Sequence, residues 1–182
     1  MQIISGLLTM RVLGIRTDSA LATTIMMACA LAWTIMLANQ EEKDALLAGP
    51  RAPLPDRGHR ATPRLYGVRW VVHTLPVALL GLAAWKLPAR TTMALLRIYA
   101  LLLFWRGLAF WVTREPPPRS PCQPYHVGDT YVGGCSDMMY SGHTSLMLLS
   151  TLFLLYYSPN PALGWLAAGV TGLGMYLILA TR

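Results

Sequence analysis

Between Ser19 and Ala38 the chain reads SALATTIMMACALAWTIMLA, a run without a charged side chain, a glycine or a proline. A bilayer core about 30 Å thick is crossed by roughly 20 apolar residues rising 1.5 Å each, so this run has the length and character of a membrane-spanning helix. Four further segments, near 67–87, 91–112, 141–157 and 161–181, repeat the pattern. Composition agrees: 54% hydrophobic residues, 13% charged residues and a mean hydropathy of +0.44 fit a soluble globule poorly. The expected fold is therefore all-α, a polytopic transmembrane helical bundle of about five spans. Residues 1–18 form an amino-terminal segment and 19–182 a single membrane-embedded domain. The opening MQIISGLLTMRVLGIR is interrupted by Arg11 and lacks a basic start, so the first span reads as an uncleaved anchor and not as a cleaved signal peptide.

Residues 39–66 and 113–140 are long connections, the second opening on Pro116, Pro117 and Pro118, which end a helix and favour an extended path. The links KLPAR and SPNP are short and predict antiparallel neighbours. Alternating crossings then gather both long loops and the end of the fifth span on one side. Net charge is +7. The basic residues lie in loops and helix ends, which points to lipid phosphate, and no nucleic-acid module is visible. Lys43, Arg51, Arg57, Arg60, Arg64, Arg114 and Arg119 fall on the long-loop side, against Arg11, Arg16, Lys86 and Arg90 on the other. Taken literally, the positive-inside rule puts the long loops in the cytoplasm, although arginines that hold lipid phosphates would distort that count. Cys122 and Cys135 bracket one loop and are candidates for a disulfide if it faces an oxidising compartment, whereas Cys29 is a small apolar filler within the first span.

Chemistry concentrates where the second long loop meets the fourth span, in GGCSDMMYSGHTSLMLLS, residues 133 to 150. Ser141 is a good helix N-cap, leaving the backbone N–H groups of Gly142, His143 and Thr144 at the positive end of a helix dipole, where an anion docks. Gly142 admits close approach. His143, on the first turn, can hydrogen-bond a phosphate oxygen or protonate a departing alkoxide, because imidazole exchanges protons near neutral pH. Ser-Gly-His-Thr alone is also readable as a capped helix start with an interfacial histidine.

Arg106, inside LLLFWRGLAFWVT, costs of order 2.5 to 3.5 kcal/mol to insert and so requires a partner or a cavity. Arg97 stands nine residues earlier, half a turn out of phase, so the two cannot face one site; it lies near the short-loop end, where it can snorkel. Thr113, seven residues beyond Arg106, falls near the same helix face. His73 and Pro76 in VVHTLPVALL read as a kinked helix with an internally hydrogen-bonded histidine. His59 and His126 read as solvated loop residues, and PLPD, Pro53 to Asp56, as a stiffened turn. The histidines show no HExxH spacing and the cysteines no CxxC, so neither a metal nor a cofactor is expected. The aromatic residues Trp105, Trp111, Tyr156, Tyr157 and Tyr176 gather toward span ends as interfacial anchors.

Together these stretches resemble the sphingomyelin synthases and the related inositol phosphorylceramide synthases, within the wider lipid phosphate phosphatase superfamily. GGCSDMMYSGHT resembles their Cys-Gly-Asp-x-x-(Phe/Tyr)-Ser-Gly-His-Thr motif. FWRGLAFWVTREP is similar to their Tyr-Arg segment followed by Val-Thr-x-x-Pro, and PLPD to their early loop motif, all in family order across residues 53–144. Ser136 replaces the usual Gly, and Arg114-Glu115 a less charged pair. The resemblance implies a phosphotransferase that moves phosphocholine, phosphoethanolamine or phosphoinositol from a glycerophospholipid to ceramide, releasing diacylglycerol. His143 would be the catalytic acid, protonating the leaving diacylglycerol oxygen and later taking the proton of the ceramide hydroxyl. Cys135, Asp137, Ser141, Gly142 and Thr144 would share its loop, with Arg106 and Thr113 beside it as substrate-binding residues.

The family's nucleophile is a second histidine in a His-Tyr-Thr-x-Asp motif after the fifth span, followed by a sixth span. The sequence stops at Thr181-Arg182, where that motif would begin, so the resemblance implies a carboxyl-terminally incomplete chain whose 182 residues alone are inactive. It also implies a Golgi or plasma membrane location with the long loops lumenal or extracellular, against the charge count. Two other readings stay open. One is a lipid phosphate phosphatase with water as acceptor, although Tyr140 stands where those enzymes usually have a proline. The other is a noncatalytic membrane protein that binds lipid or a partner.

Overall fold

In the computed structural model, residues 19–48, 62–63, 65, 67–112, 125–127, 130–133 and 141–181 are described. Thr113, Cys122, Cys135, Asp137, His59 and the PLPD turn lie outside them. Five helices account for most of the described residues: α1 (Ala20–Ala48), α2 (Arg69–Lys86), α3 (Ala89–Val112), α4 (Gly142–Tyr157) and α5 (Pro161–Thr181). The bundle is the expected all-helical one. Three helices, Ala20–Gln40 within α1, Ala89–Ala109 within α3 and Pro161–Thr181, are long and apolar enough to cross a membrane, which fits an integral membrane protein. α2 and α4 are shorter, at 18 and 16 residues.

Helix ends follow local chemistry. Ser19 caps α1 by accepting from the Ala22 N–H at 3.1 Å, and the helix then runs past the expected span end at Ala38 to Ala48, just before Gly49-Pro50. Inside α1, Thr23, Thr24 and Thr34 donate their hydroxyls to carbonyls four residues back, which satisfies those groups without water. Gly67, at φ +79°, adopts the left-handed conformation that turns the chain into α2. Pro76 is accommodated inside α2 with its ring fully buried. Asn160 accepts from the Ala162 N–H at 3.1 Å, and Pro161 supplies the first residue of α5.

The helices associate through small residues and hydroxyls. α4 and α5 run antiparallel, with Gly164 against the Leu155 backbone and Gly174 against the Met147 thioether. Between those contacts Thr151 shares a 2.7 Å hydrogen bond with Thr171 and donates to the Ala167 carbonyl. Close approach at small residues together with interhelical hydroxyl bonds is how helices hold together where water gives no hydrophobic drive. α1 and α3 run parallel: Thr34 donates to the Leu103 carbonyl at 2.9 Å, Trp33 stacks on Phe104, and Gly107 lies under the Trp33 indole. Val72 and Leu79 of α2 share one core with Leu95 of α3, Met147 and Leu154 of α4 and Ala167 and Ile178 of α5.

Large apolar side chains such as Trp70, Trp85, Trp165 and Leu166 point outward, while Thr34, Ser150, Thr151 and Thr171 are buried. That inside-out pattern suits a lipid surround. Trp105, Tyr156, Tyr157 and Tyr176 are exposed, as anchors are, and the Lys86 ammonium sits 3.6 Å over the Trp85 ring.

Two details differ from the sequence reading. The second long loop contains an antiparallel ribbon, β1 (Tyr125–Val127) and β2 (Thr130–Gly133), which packs near α1. The short KLPAR link does not make α2 and α3 main partners; α2 packs chiefly on α4. A short connection fixes only the helix ends, and the complementary faces lie elsewhere.

Candidate active site

Three helix ends meet at one face of the bundle. α2 and α4 run parallel and bring their amino-terminal turns together, and α3 presents its carboxyl-terminal half to them. The Leu65 N–H donates to the Ala180 carbonyl at 2.9 Å, so the carboxyl end of α5 reaches the same side as the start of α2. Among the described residues, the gathering of helix ends expected from alternating crossings is therefore present.

The centre of this face is the Ser141–Thr144 turn. Ser141 has extended backbone angles and accepts from the Thr144 N–H through its hydroxyl, at 3.5 Å. Its carbonyl accepts from the Ser145 N–H at 2.9 Å and from the Ser145 hydroxyl at 3.1 Å. The cap thus forms as the sequence implies, with one correction: the Thr144 N–H turns to Ser141 instead of toward the loop. Gly142 and His143 contribute the two remaining first-turn N–H groups named from the sequence.

Arg106 of α3 lies directly on Gly142. A Cβ at position 142 would stand 3.1 Å from the Arg106 Nη1 and 3.6 Å from its Cζ, so the guanidinium occupies the space that glycine leaves open. Tyr99 donates its hydroxyl to the Gly142 carbonyl at 3.4 Å. It stands seven residues before Arg106 and hence on the same helix face, a spacing that marks it in the sequence once Arg106 is singled out. Arg97 points elsewhere: its Nε donates to the Thr23 hydroxyl of α1 at 2.9 Å. It is held by an interhelical bond where snorkelling was expected.

His143 meets a partner that the sequence reading did not supply. The His73 Nδ1 lies 2.9 Å from the His143 Nε2, with ring centroids 4.9 Å apart and planes inclined by 59°. Where a bond within its own helix was expected, His73 also reaches across to α4, 70 residues along the chain. Its signal in the sequence was the rarity of a histidine inside an apolar span. No group of three or more potential metal-binding side chains occurs among the described residues.

The arrangement combines a fixed guanidinium, a capped helix amino terminus and a half-buried imidazole held by a second one. A helix amino terminus carries about half a positive charge; at about 4 Å and an effective dielectric near 20 it repels a guanidinium by about 2 kcal/mol. An anion that touches both groups adds two attractions that offset this repulsion.

Residues 134–182 match the family described as PAP2 superfamily C-terminal. The match covers the Ser141–Thr144 turn, α4 and α5, and supports kinship with the lipid phosphate phosphatase superfamily, whose members are phosphatases and phosphotransferases. No solved structure matches the chain.

Proposed function

We propose that this protein is a membrane phosphotransferase that moves a phospho-headgroup from a glycerophospholipid to ceramide, with His143 as the proton donor and acceptor. The observation that carries the reading is the packing of the Arg106 guanidinium on Gly142 at the amino terminus of α4, with His143 as the next residue. A phosphate seated there takes hydrogen bonds from the Gly142 and His143 N–H groups and charge from Arg106, which is where negative charge accumulates on the equatorial oxygens. His143 gives its proton to the diacylglycerol oxygen as the phosphorus–oxygen bond breaks, and takes one from the ceramide hydroxyl as the new bond forms. Ser141 holds the turn in shape, and Thr113, Asp137 and Thr144 complete the substrate-binding set by resemblance. A covalent route also needs a nucleophile, for which the resemblance looks to a histidine beyond the fifth span.

A second reading, hydrolysis with water as acceptor, is favoured by the family match across residues 134–182. One experiment separates the two. Vesicles carrying the full-length protein receive fluorescent ceramide with mixed phospholipids, or phosphatidic acid alone, and products are resolved by chromatography. Headgroup transfer to ceramide that disappears in His143→Ala supports the proposal. Phosphate release from phosphatidic acid without transfer supports hydrolysis, and transfer retained in His143→Ala removes His143 from the mechanism.

A further inference from the structure

His73 is half-buried one turn into α2, with its Nδ1 against the His143 Nε2. Three roles are conceivable: nucleophile, packing, or holder of His143. Separation decides the first. An in-line transfer places phosphorus between nucleophile and proton donor, and with reacting atoms about 3 Å apart the two nitrogens must stand at least about 6 Å from each other. With the rings in contact at 2.9 Å and their centroids only 4.9 Å apart, no phosphate fits between the two imidazoles.

Proton direction decides between the other two. One hydrogen lies between the rings. If it belonged to the His73 Nδ1, then His143, once protonated on both nitrogens, would face it N–H against N–H and the bond would break whenever His143 became an acid. If it belongs to the His143 Nε2, the bond survives in both states. His73 is then neutral, with its proton on Nε2 and its Nδ1 lone pair accepting.

We infer that His73 is a positioning residue that accepts a hydrogen bond from the His143 Nε2–H, fixing the His143 ring so that its Nδ1 exchanges the proton with the lipid oxygens. This rests on the catalytic role proposed for His143. In the donor step the His143 Nδ1–H passes to the leaving alkoxide, and His143 goes from imidazolium to neutral imidazole. In the acceptor step Nδ1 takes the hydroxyl proton back. His73 keeps the same protons throughout. Holding an imidazole by its second nitrogen fixes tautomer and orientation, as partners of catalytic and metal-bound histidines do.

The test compares His73→Leu, which fills the space without an acceptor, with His73→Asn, whose Oδ1 falls near the lost Nδ1. The full-length protein in vesicles is assayed for transfer and hydrolysis. His73→Leu is expected to lower kcat about 100-fold at unchanged KM, and His73→Asn to recover at least about tenfold of that loss. A packing role predicts the opposite order, with Leu at least as active as Asn, and that order overturns the inference. The second measurement needs no turnover: nitrogen-15 magnetic resonance of the imidazoles, tractable with four histidines in the chain. It should show a protonated His143 Nε2 and an unprotonated His73 Nδ1, with mixed His143 tautomers in His73→Leu; a proton on the His73 Nδ1 overturns the inference. A wild-type protein with the expected spectrum but neither transfer nor hydrolysis refutes the catalytic reading, and the role of His73 with it, while leaving the contact established.

Discussion

Replacing Gly142 by alanine places one methyl group at the centre of the proposed phosphate seat. The new Cβ would stand 3.1 Å from the Arg106 Nη1 and 3.8 Å from the Tyr99 hydroxyl. Carbon and nitrogen make ordinary contact at about 3.5 Å, so the guanidinium must withdraw by a few tenths of an ångström, and the methyl also covers the first-turn N–H groups. Nothing in the backbone resists the change, because the positive-φ glycine of the described residues is Gly67 and not Gly142. Alanine is the better helix former by up to about 1 kcal/mol, so α4 should be no less stable. Small misplacements of a positioning group cost up to about 100-fold in rate, and a 10- to 100-fold fall in kcat/KM corresponds to about 1.4 to 2.8 kcal/mol. The expected result is a thermal unfolding midpoint at or above that of the wild type with transfer or hydrolysis reduced 10- to 100-fold. In an Arg106→Ala background the same substitution should cost much less, since the group it displaces is gone. Full activity in Gly142→Ala, or equal losses in both backgrounds, would refute a shared Gly142–Arg106 seat.

The remaining predictions test the frame around that seat. Arg106→Leu should lower phosphoryl transfer at least about 100-fold, whereas Arg97→Leu, which loses a bond to Thr23 on the far side of α3, should act on stability with less than about tenfold change in turnover. Gly174→Ala drives a Cβ to within 2.6 Å of the Met147 Sδ and should destabilise the α4–α5 pair by about 1 to 3 kcal/mol in a detergent unfolding series, a loss relieved by Met147→Ala. Thr151→Val removes the 2.7 Å bond to Thr171 and should cost about 0.6 kcal/mol, the average for interhelical hydrogen bonds in membranes, by the same measurement.

The helices were legible because their signal is length and apolarity. A run such as Ser19–Ala38 has few other ways to satisfy its backbone in lipid. The extension of α1 to Ala48 was not read, since the charges of residues 39–48 suggest a connection, although no glycine or proline stands before Gly49-Pro50. The ribbon was missed, although Tyr-His-Val and Thr-Tyr-Val are strand-forming stretches on either side of the Gly-Asp dipeptide at 128–129. Helix pairing was not legible. Whether α2 lies on α3 or α4 depends on how Val72, Leu79, Met147 and Leu154 fit together, and no periodicity in one segment reports the shape of another. The site divides in the same way. Ser141 capping and the separation of Arg97 from Arg106 follow from local spacing, but the contact of His73 with His143 joins segments 70 residues apart and exists only through the parallel packing of α2 on α4.

That packing also gives a reason for a histidine at position 73. α2 begins at Arg69 and His73 lies four residues further in, about 6 Å deeper along the axis, whereas His143 is the second residue of α4. The holder thus lies one turn inside its own helix, and the group it holds lies at the start of α4. A carboxylate there would pair strongly with an imidazolium, yet it would carry its own desolvation cost whenever His143 is neutral, which is half of each proposed catalytic cycle. Neutral imidazole supplies an acceptor of fixed geometry without burying a permanent charge. Arg106 and the α4 amino terminus already provide positive charge for phosphate, and an anion at position 73 would compete for it. A neutral holder leaves that field directed at the lipid.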